Sequence, residues 1–225
     1  MPQIKAGENR LLLLAVTGRS VKPGSFEQGQ PETVRVGSTT LSRFADFDGG
    51  QGPDSARGQN HHFFYYVLEE ELRRLDLGGN IYILAESNGG AKALAANALL
   101  FSGVDQANPI GPRKSTRQEI RCETVQPADT LTLTRAGSVI YSMMAAQETG
   151  TEFGVLPPLT WKLRASFPRE QVGNREVAIL GGVAGVEEVL GSGATALGWT
   201  FNTCNNWTVL SVAIQPVLAP ATSAR

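Results

Sequence analysis

The sequence predicts an all-β fold: antiparallel strands arranged as a sandwich or barrel, with one short connector helix. Three observations lead there. About a dozen alternating or wholly apolar runs recur at roughly the 8–12-residue spacing of such folds. The 25 glycines and 12 prolines are spread along the chain rather than clustered, as many short turns require. No segment repeats at a fixed period, which excludes a propeller or a solenoid. A chain of 225 residues is long enough to bury one large core, and we treat residues 1–225 as a single domain.

In order, residues 9–17 (NRLLLLAVT) read as a central strand, apolar on both faces. Residues 18–31 read as a loop. The segments 33–38 and 40–44 alternate and are expected to pair as a hairpin. Residues 46–60 (DFDGGQGPDSARGQN) hold four glycines and no hydrophobic period, so a long loop is expected. Residues 61–68 (HHFFYYVL) are aromatic and β-branched, which favours a strand. The helical stretch follows at 69–75, where Leu68, Leu72 and Leu75 share a face and Glu69–Arg73 and Glu70–Arg74 stand at i,i+4. Further strands are expected at 80–84, 91–101, 118–125, 130–134, 138–146, 161–165, 175–189, 196–201 and 207–215. A flexible tail is expected over 216–225.

The stretch Leu99–Ile110 (LLFSGVDQANPI) ends one apolar strand in an abrupt corner. Gly103, Asp105, Asn108 and Pro109 are turn residues, and Pro109 holds Asn108 extended. The corner is expected to continue through 111–115. FSGVDQANPI resembles the FxGVDxxNPI phrase of a lectin-like β-sandwich family, common in phage and bacterial proteins and belonging to the concanavalin-like jelly rolls. Residues 198–201 (GWTF) followed by 207–214 (WTVLSVAI) are similar to that family's ending, and residues 9–17 to its opening strand. The resemblance implies an antiparallel jelly-roll β-sandwich spanning the whole chain.

Composition excludes several function classes. Hydrophobic residues make up 41% and charged residues 18%, too apolar for a disordered chain. The net charge of -1 gives no footprint for nucleic acid or an anionic membrane surface. No stretch reaches the ~20 apolar residues of a membrane span, and residues 11–16 are too short for a signal peptide core. Synthesis in the cytoplasm, without export by the general route, is the expectation. Cys122 and Cys204 form no CxxC pair and are too few for a four-ligand zinc site, leaving either a disulfide or two free thiols.

Each candidate for chemistry has a plainer reading. Ser87 in Glu86-Ser87-Asn88-Gly89-Gly90 lacks the preceding glycine of a nucleophile elbow, and no histidine follows it in the chain. His61 and His62 would face opposite sides of a strand, which suits a core or interface role better than shared metal binding. Asp46, Asp48 and Asp54 are candidate calcium ligands, although the stretch is no EF-hand loop. Glycosidases of this sandwich type need two carboxylates ~5–5.5 Å apart. The usual E-x-D-x-x-E pattern is missing, because Glu69–Glu71 fall in the helical connector and Glu187-Glu188 stand as an isolated pair. The aromatics Trp161, Trp199 and Trp207, with Phe63, Phe64, Tyr65 and Tyr66, could stack on a sugar, although tryptophans at strand positions are more often core; Trp161, Tyr65 and Tyr66 are the candidate glycan or partner contacts.

The expected function is therefore non-enzymatic, with no resident cofactor unless calcium binds. The resemblance implies a structural virion protein of a tailed phage: a capsid decoration, fibre or tail-associated subunit. Its partners would be other virion proteins or further copies of itself as a homo-oligomer, with a surface glycan as an additional ligand. The alternatives are a carbohydrate-binding attachment module of a bacterial protein and, disfavoured, a glycan-cleaving enzyme.

Overall fold

A computed structural model describes residues 8–20, 30–47, 60–75, 83–87, 91–118, 128–146, 153–156, 160–166, 169–172, 175–178, 181–189, 192–201 and 207–218. The described part is all-β with one short helix, and every ladder is antiparallel. The elements are β1 (Leu11–Ser20), β2 (Pro31–Val36), β3 (Thr39–Thr40), β4 (Arg43–Phe47), β5 (Asn60–Leu68), α1 (Glu69–Arg74), β6 (Ile83–Ser87), β7 (Ala91–Phe101) and β8 (Ile110–Gln118). They continue as β9 (Ala128–Leu133), β10 (Ser138–Ala146), β11 (Phe153–Leu156), β12 (Thr160–Ser166), β13 (Arg169–Val172), β14 (Arg175–Ala178), β15 (Gly181–Val189), β16 (Gly193–Phe201) and β17 (Trp207–Ile214).

Two sheets form the centre, with strand orders β4-β5-β1-β7 (sheet I) and β12-β15-β10-β17-β8 (sheet II). Sheets β3-β2-β6 (sheet III) and β11-β16-β9 (sheet IV) lie outside them, and β13-β14 is a separate hairpin. Three apolar clusters give the stacking order III–I–II–IV. Val34, Val36 and Leu72 pack on Leu12, Leu14, Phe63 and Tyr65 of sheet I. The opposite face of sheet I presents Leu11, Leu13 and Phe64 to Tyr141, Met143, Leu210 and Val212 of sheet II. The far face of sheet II places Ile140, Met144 and Val209 against Leu131, Leu197 and Trp199 of sheet IV. Central strands buried on both faces read as nearly continuous apolar runs, which accounts for LLLLAV in β1 and for WTVLSVAI in β17, where the buried hydroxyls of Thr208 and Ser211 find side-chain partners.

Several boundaries depart from expectation, each for a tertiary reason. Residues 43–47 do not pair with β2, whose hairpin partner is Thr39–Thr40, while β4 joins sheet I beside β5. Phe44 is drawn there by the Phe64 and Tyr66 rings, at 6.3 and 5.2 Å between centroids. Residues 111–115 extend as part of β8 along β17 instead of continuing a turn. Gly111 lets the Gln215 side chain lie close against β8: a Cβ would stand 2.8 Å from Gln215 Nε2 and 3.3 Å from the Ala213 Cβ, and the glutamine would have to shift. Gly18–Ser20 prolong β1, Asp46 and Phe47 end β4, and Phe153–Leu156 form a strand. Ser87 ends β6 opposite Pro31, and residues 88–90 of the Glu86–Gly90 stretch lie outside the described residues. Residues 216–218 are not a loose tail: Pro216 bridges to Val104, and Val217 N donates to Gly103 O at 2.9 Å.

Candidate functional site

Two polar constellations close the two ends of the layer between sheets I and II. Along the inner face of β1 the residues run Leu11, Leu13, Ala15, Thr17, Arg19; opposite them β5 runs Leu68, Tyr66, Phe64, His62, Asn60. Both strands change from apolar to polar in the same direction. Antiparallel register makes the two gradients coincide, because directly paired residues share a face.

At the polar end, His62 is completely buried. Its Nε2 lies 3.1 Å from the Thr208 carbonyl oxygen of sheet II and 2.9 Å from Thr208 Oγ1, and its Nδ1 lies 3.0 Å from Thr17 Oγ1. A carbonyl only accepts, so Nε2 carries the proton and Nδ1 accepts from the Thr17 hydroxyl. Burial away from water dominates the titration and lowers the His62 pKa to about 4, outweighing the Thr208 carbonyl bond that favours the charged form. Met143 Sδ stands beside this group, 3.3 Å from Thr17 Oγ1 and 3.8 Å from both Asn97 Nδ2 and Tyr141 Oη. Burial also raises the Tyr141 phenol well above its ordinary value. The result is a dry, neutral tie between the two central sheets. Its imidazole is completely buried, and its bonds to Thr17 and Thr208 hold the two layers together.

At the other end stands the Ser102–Pro109 corner. Gly103 adopts φ 70°, the left-handed conformation glycine tolerates at no steric cost. Gly103 N and Val104 N donate to the carbonyls of Glu8 and Asn9 just ahead of β1, at 3.1 and 2.9 Å. Asp105 N donates to Gln215 O, and Gln215 N donates to Pro109 O, which pins the end of β17. The Asp105 carboxylate accepts from the Ala107 and Asn108 amides at 3.0 and 3.1 Å through Oδ1 and from Arg135 Nη1 at 2.6 Å through Oδ2. Gln106 Oε1 accepts from Glu69 N at 3.0 Å, which caps the start of α1, and Gln106 Nε2 donates to the Val104 and Arg10 carbonyls.

Glu69 completes this end. Its carboxylate accepts from Arg10 Nε and Nη2 at 2.7 and 2.6 Å, from Arg10 N at 2.9 Å and from Arg73 Nε at 2.7 Å. The Arg10 bonds, first among the causes, lower the Glu69 pKa to about 2. The corner thus joins the approach to β1, helix α1, the turn before β10 and the end of β17.

The residues singled out from sequence are placed as follows. Tyr65 is buried between sheets I and III, in the cluster that holds Val34 and Val36. Tyr66 is half-buried against Phe44. Trp161 lies at a register irregularity in β12, an outer strand of sheet II. Asp46 is exposed and paired with Arg43 at 3.0 Å, while Asp48 and Asp54 lie outside the described residues. Among the described residues, no group of three or more His, Cys, Asp or Glu side chains could hold a metal ion. Cys122 and Cys204 also lie outside the described residues. Trp199 and Trp207 are buried core residues, and His61 and His62 are buried in β5.

Sequence reasoning missed the pairing of Thr17, His62 and Thr208. Its signal was there: a lone hydroxyl closes LLLLAVT, and another interrupts the opening of WTVL. Residues 62 and 208 are 146 positions apart, so only the register between layers reveals their meeting. The chain matches no protein-family model, no curated protein and no solved structure.

Proposed function

We propose that this chain is a structural virion subunit of a tailed phage, a capsid decoration, fibre or tail-associated protein that acts by protein–protein assembly. The observation that carries the reading is the use made of the Ser102–Pro109 corner. The residues behind the family resemblance bind the chain to itself, through Gln106 to Glu69 and through Asp105 to Arg135 and Gln215. A motif devoted to cohesion suits a protein whose product is a rigid shape. The same reading takes the two face-to-face central sheets as a concanavalin-like jelly roll, supported by the antiparallel ladders and by the likeness of both chain ends to that family. The partners are other virion proteins or further copies of the chain, and the location is the particle. A glycan-binding role has less support, because Tyr65 is enclosed. Immunogold labelling of purified particles with an antibody to the chain tests the proposal. Regular labelling at one place on the particle is expected; protein confined to the soluble lysate, with bare particles, would overturn it.

A further inference from the structure

Each central sheet has two outer strands, and one of the four differs from the rest. β8 carries Pro112 with exposed Arg113, Lys114 and Arg117, and Arg113 Nη1 donates to Phe44 O at 2.6 Å. β4 is only five residues long and holds Arg43 and Asp46. β12 contains Lys162 and Arg164. Short length, proline and charge are the devices that keep a sheet edge from pairing with another chain. β7 carries no proline, and its single charge, Lys92, stands beside its first residue. It is eleven residues long, and from Ala93 to Phe101 it holds no charged residue. It pairs with β1 on one side and has no ladder partner among the described strands on the other. Leu94, Ala98, Leu99, Leu100 and Phe101 are half-buried, and Ala96 is exposed.

The order of residues in β7 points to the occupant. Read in opposite directions about Asn97, the segment 94–100 (LAANALL) sets Leu94 against Leu100, Ala95 against Leu99, Ala96 against Ala98, and Asn97 against itself. An antiparallel pair places such partners on the same face. Shifting the register by two residues in either direction would put Asn97 opposite Ala95 or Leu99, a polar group against an apolar one. A surface that complements itself under a two-fold rotation suits a second copy of the same chain.

We propose that the outer edge of β7, which has no ladder partner among the described strands, is a homotypic docking surface. It pairs antiparallel with β7 of a second copy about a two-fold axis at Asn97, joining two four-stranded sheets into one of eight strands. This rests on the reading of the chain as an assembly protein and names the surface involved. Main-chain hydrogen bonds along the edge supply affinity, and the apolar pairs set the register.

Sedimentation velocity on the full chain tests it, comparing wild type with Ala96→Lys. Ala96 is exposed, so the lysine meets solvent in the monomer and an apolar strand in the dimer. A dimer is expected for wild type, with dissociation made easier by about tenfold or more in a variant of unchanged circular dichroism. Hydrogen exchange on wild type is the second measurement: amides of 91–101 should gain protection as concentration rises. A wild type that stays monomeric at its highest soluble concentration, a dimer indifferent to the lysine, or exchange at 91–101 independent of concentration would overturn the pairing. None of these results removes the protein from the particle, so immunogold labelling judges the assembly reading separately.

Discussion

The two ends of the layer between sheets I and II solve one problem with opposite chemistry. Each must stop the sheets from sliding or splaying where apolar packing runs out. At the corner the ties are ionic and partly reached by water: the side chains of Arg10 and Glu69 remain 15% and 11% exposed, and those of Arg135 and Asp105 24% and 19%. At the far end His62, Thr17 and Thr208 are shut away from water and the bonds among them are neutral, while the buried Arg19 stands one pair further along the same face. The difference teaches that solvent access decides the choice. A charge on His62 would carry a desolvation penalty that its bonds to Thr17 and Thr208 do not recover, whereas the corner keeps charges that water still partly solvates.

The largest effect expected lies between the two ends. Phe64 is fully buried, with its ring edge-on to Tyr141 at 5.4 Å. Phe64→Ala should destabilise by about 3–5 kcal/mol, read by chemical denaturation. A loss below about 1 kcal/mol would mean that the layer does not depend on its apolar centre, and the contrast between its ends would lose meaning.

Acid should separate the ends. Above pH 6.5 both folded and unfolded His62 are neutral. As pH falls below 6.5 the unfolded chain takes up a proton that the folded one refuses, so stability declines. It levels off below about pH 4, where the folded imidazole also titrates. The total loss is about 3 kcal/mol. His62→Gln should flatten the profile over that window, and a profile unchanged by the substitution would place the acid sensitivity elsewhere.

Glu69 acts at lower pH. Its pKa is depressed to about 2 when folded, so its contribution is complete above about pH 4.5 and is lost as pH falls from there through 2. Glu69→Gln should cost about 1.5–3 kcal/mol at neutral pH through its charge-assisted bonds, leaving the His62 window intact. If one substitution removed both acid transitions, the ends would be coupled and not independent.

The smallest effect belongs to the exposed pair on the same helix. Arg74 and Glu70 are paired, yet both side chains are mostly in water. Arg74→Ala should change stability by less than about 1 kcal/mol in thermal melts. A larger loss would show that ion pairs at the corner matter regardless of exposure.

Much of this was legible residue by residue. The wholly apolar runs of β1 and β17 mark double-sided burial, the i,i+4 pairs of α1 form as their spacing predicts, and the turn residues of 102–109 make the corner. What escaped depends on distant partners. β8 (IGPRKSTRQ) has a poor strand composition and is extended because β17 offers it a ladder. β4 alternates as well as any hairpin arm, and only the aromatic face of β5 explains its place in sheet I. Glu69 reads as one half of a surface pair, but Arg10 reaches it from 59 positions away. Local pattern gives an element's existence; which neighbour it takes is decided by residues far along the chain.

The strand order of the central sheets also bears on how the chain acquires its structure over time. Three strands of sheet I, β4, β5 and β7, come from residues 43–101 and the fourth, β1, from residues 11–20, so that sheet can close once the first half of the chain is available. Sheet II cannot. β17 stands between β10 and β8, and it is the last described strand to be made. Until residues 207–214 arrive, β8 and β10 lack their shared neighbour, and the inner face of sheet I lacks Leu210 and Val212. Such long-range closure makes for slow folding and a prolonged interval with apolar surface uncovered. Synthesis of this protein should therefore pass through a half-built, sticky species whose fate is decided by how quickly its final strand inserts.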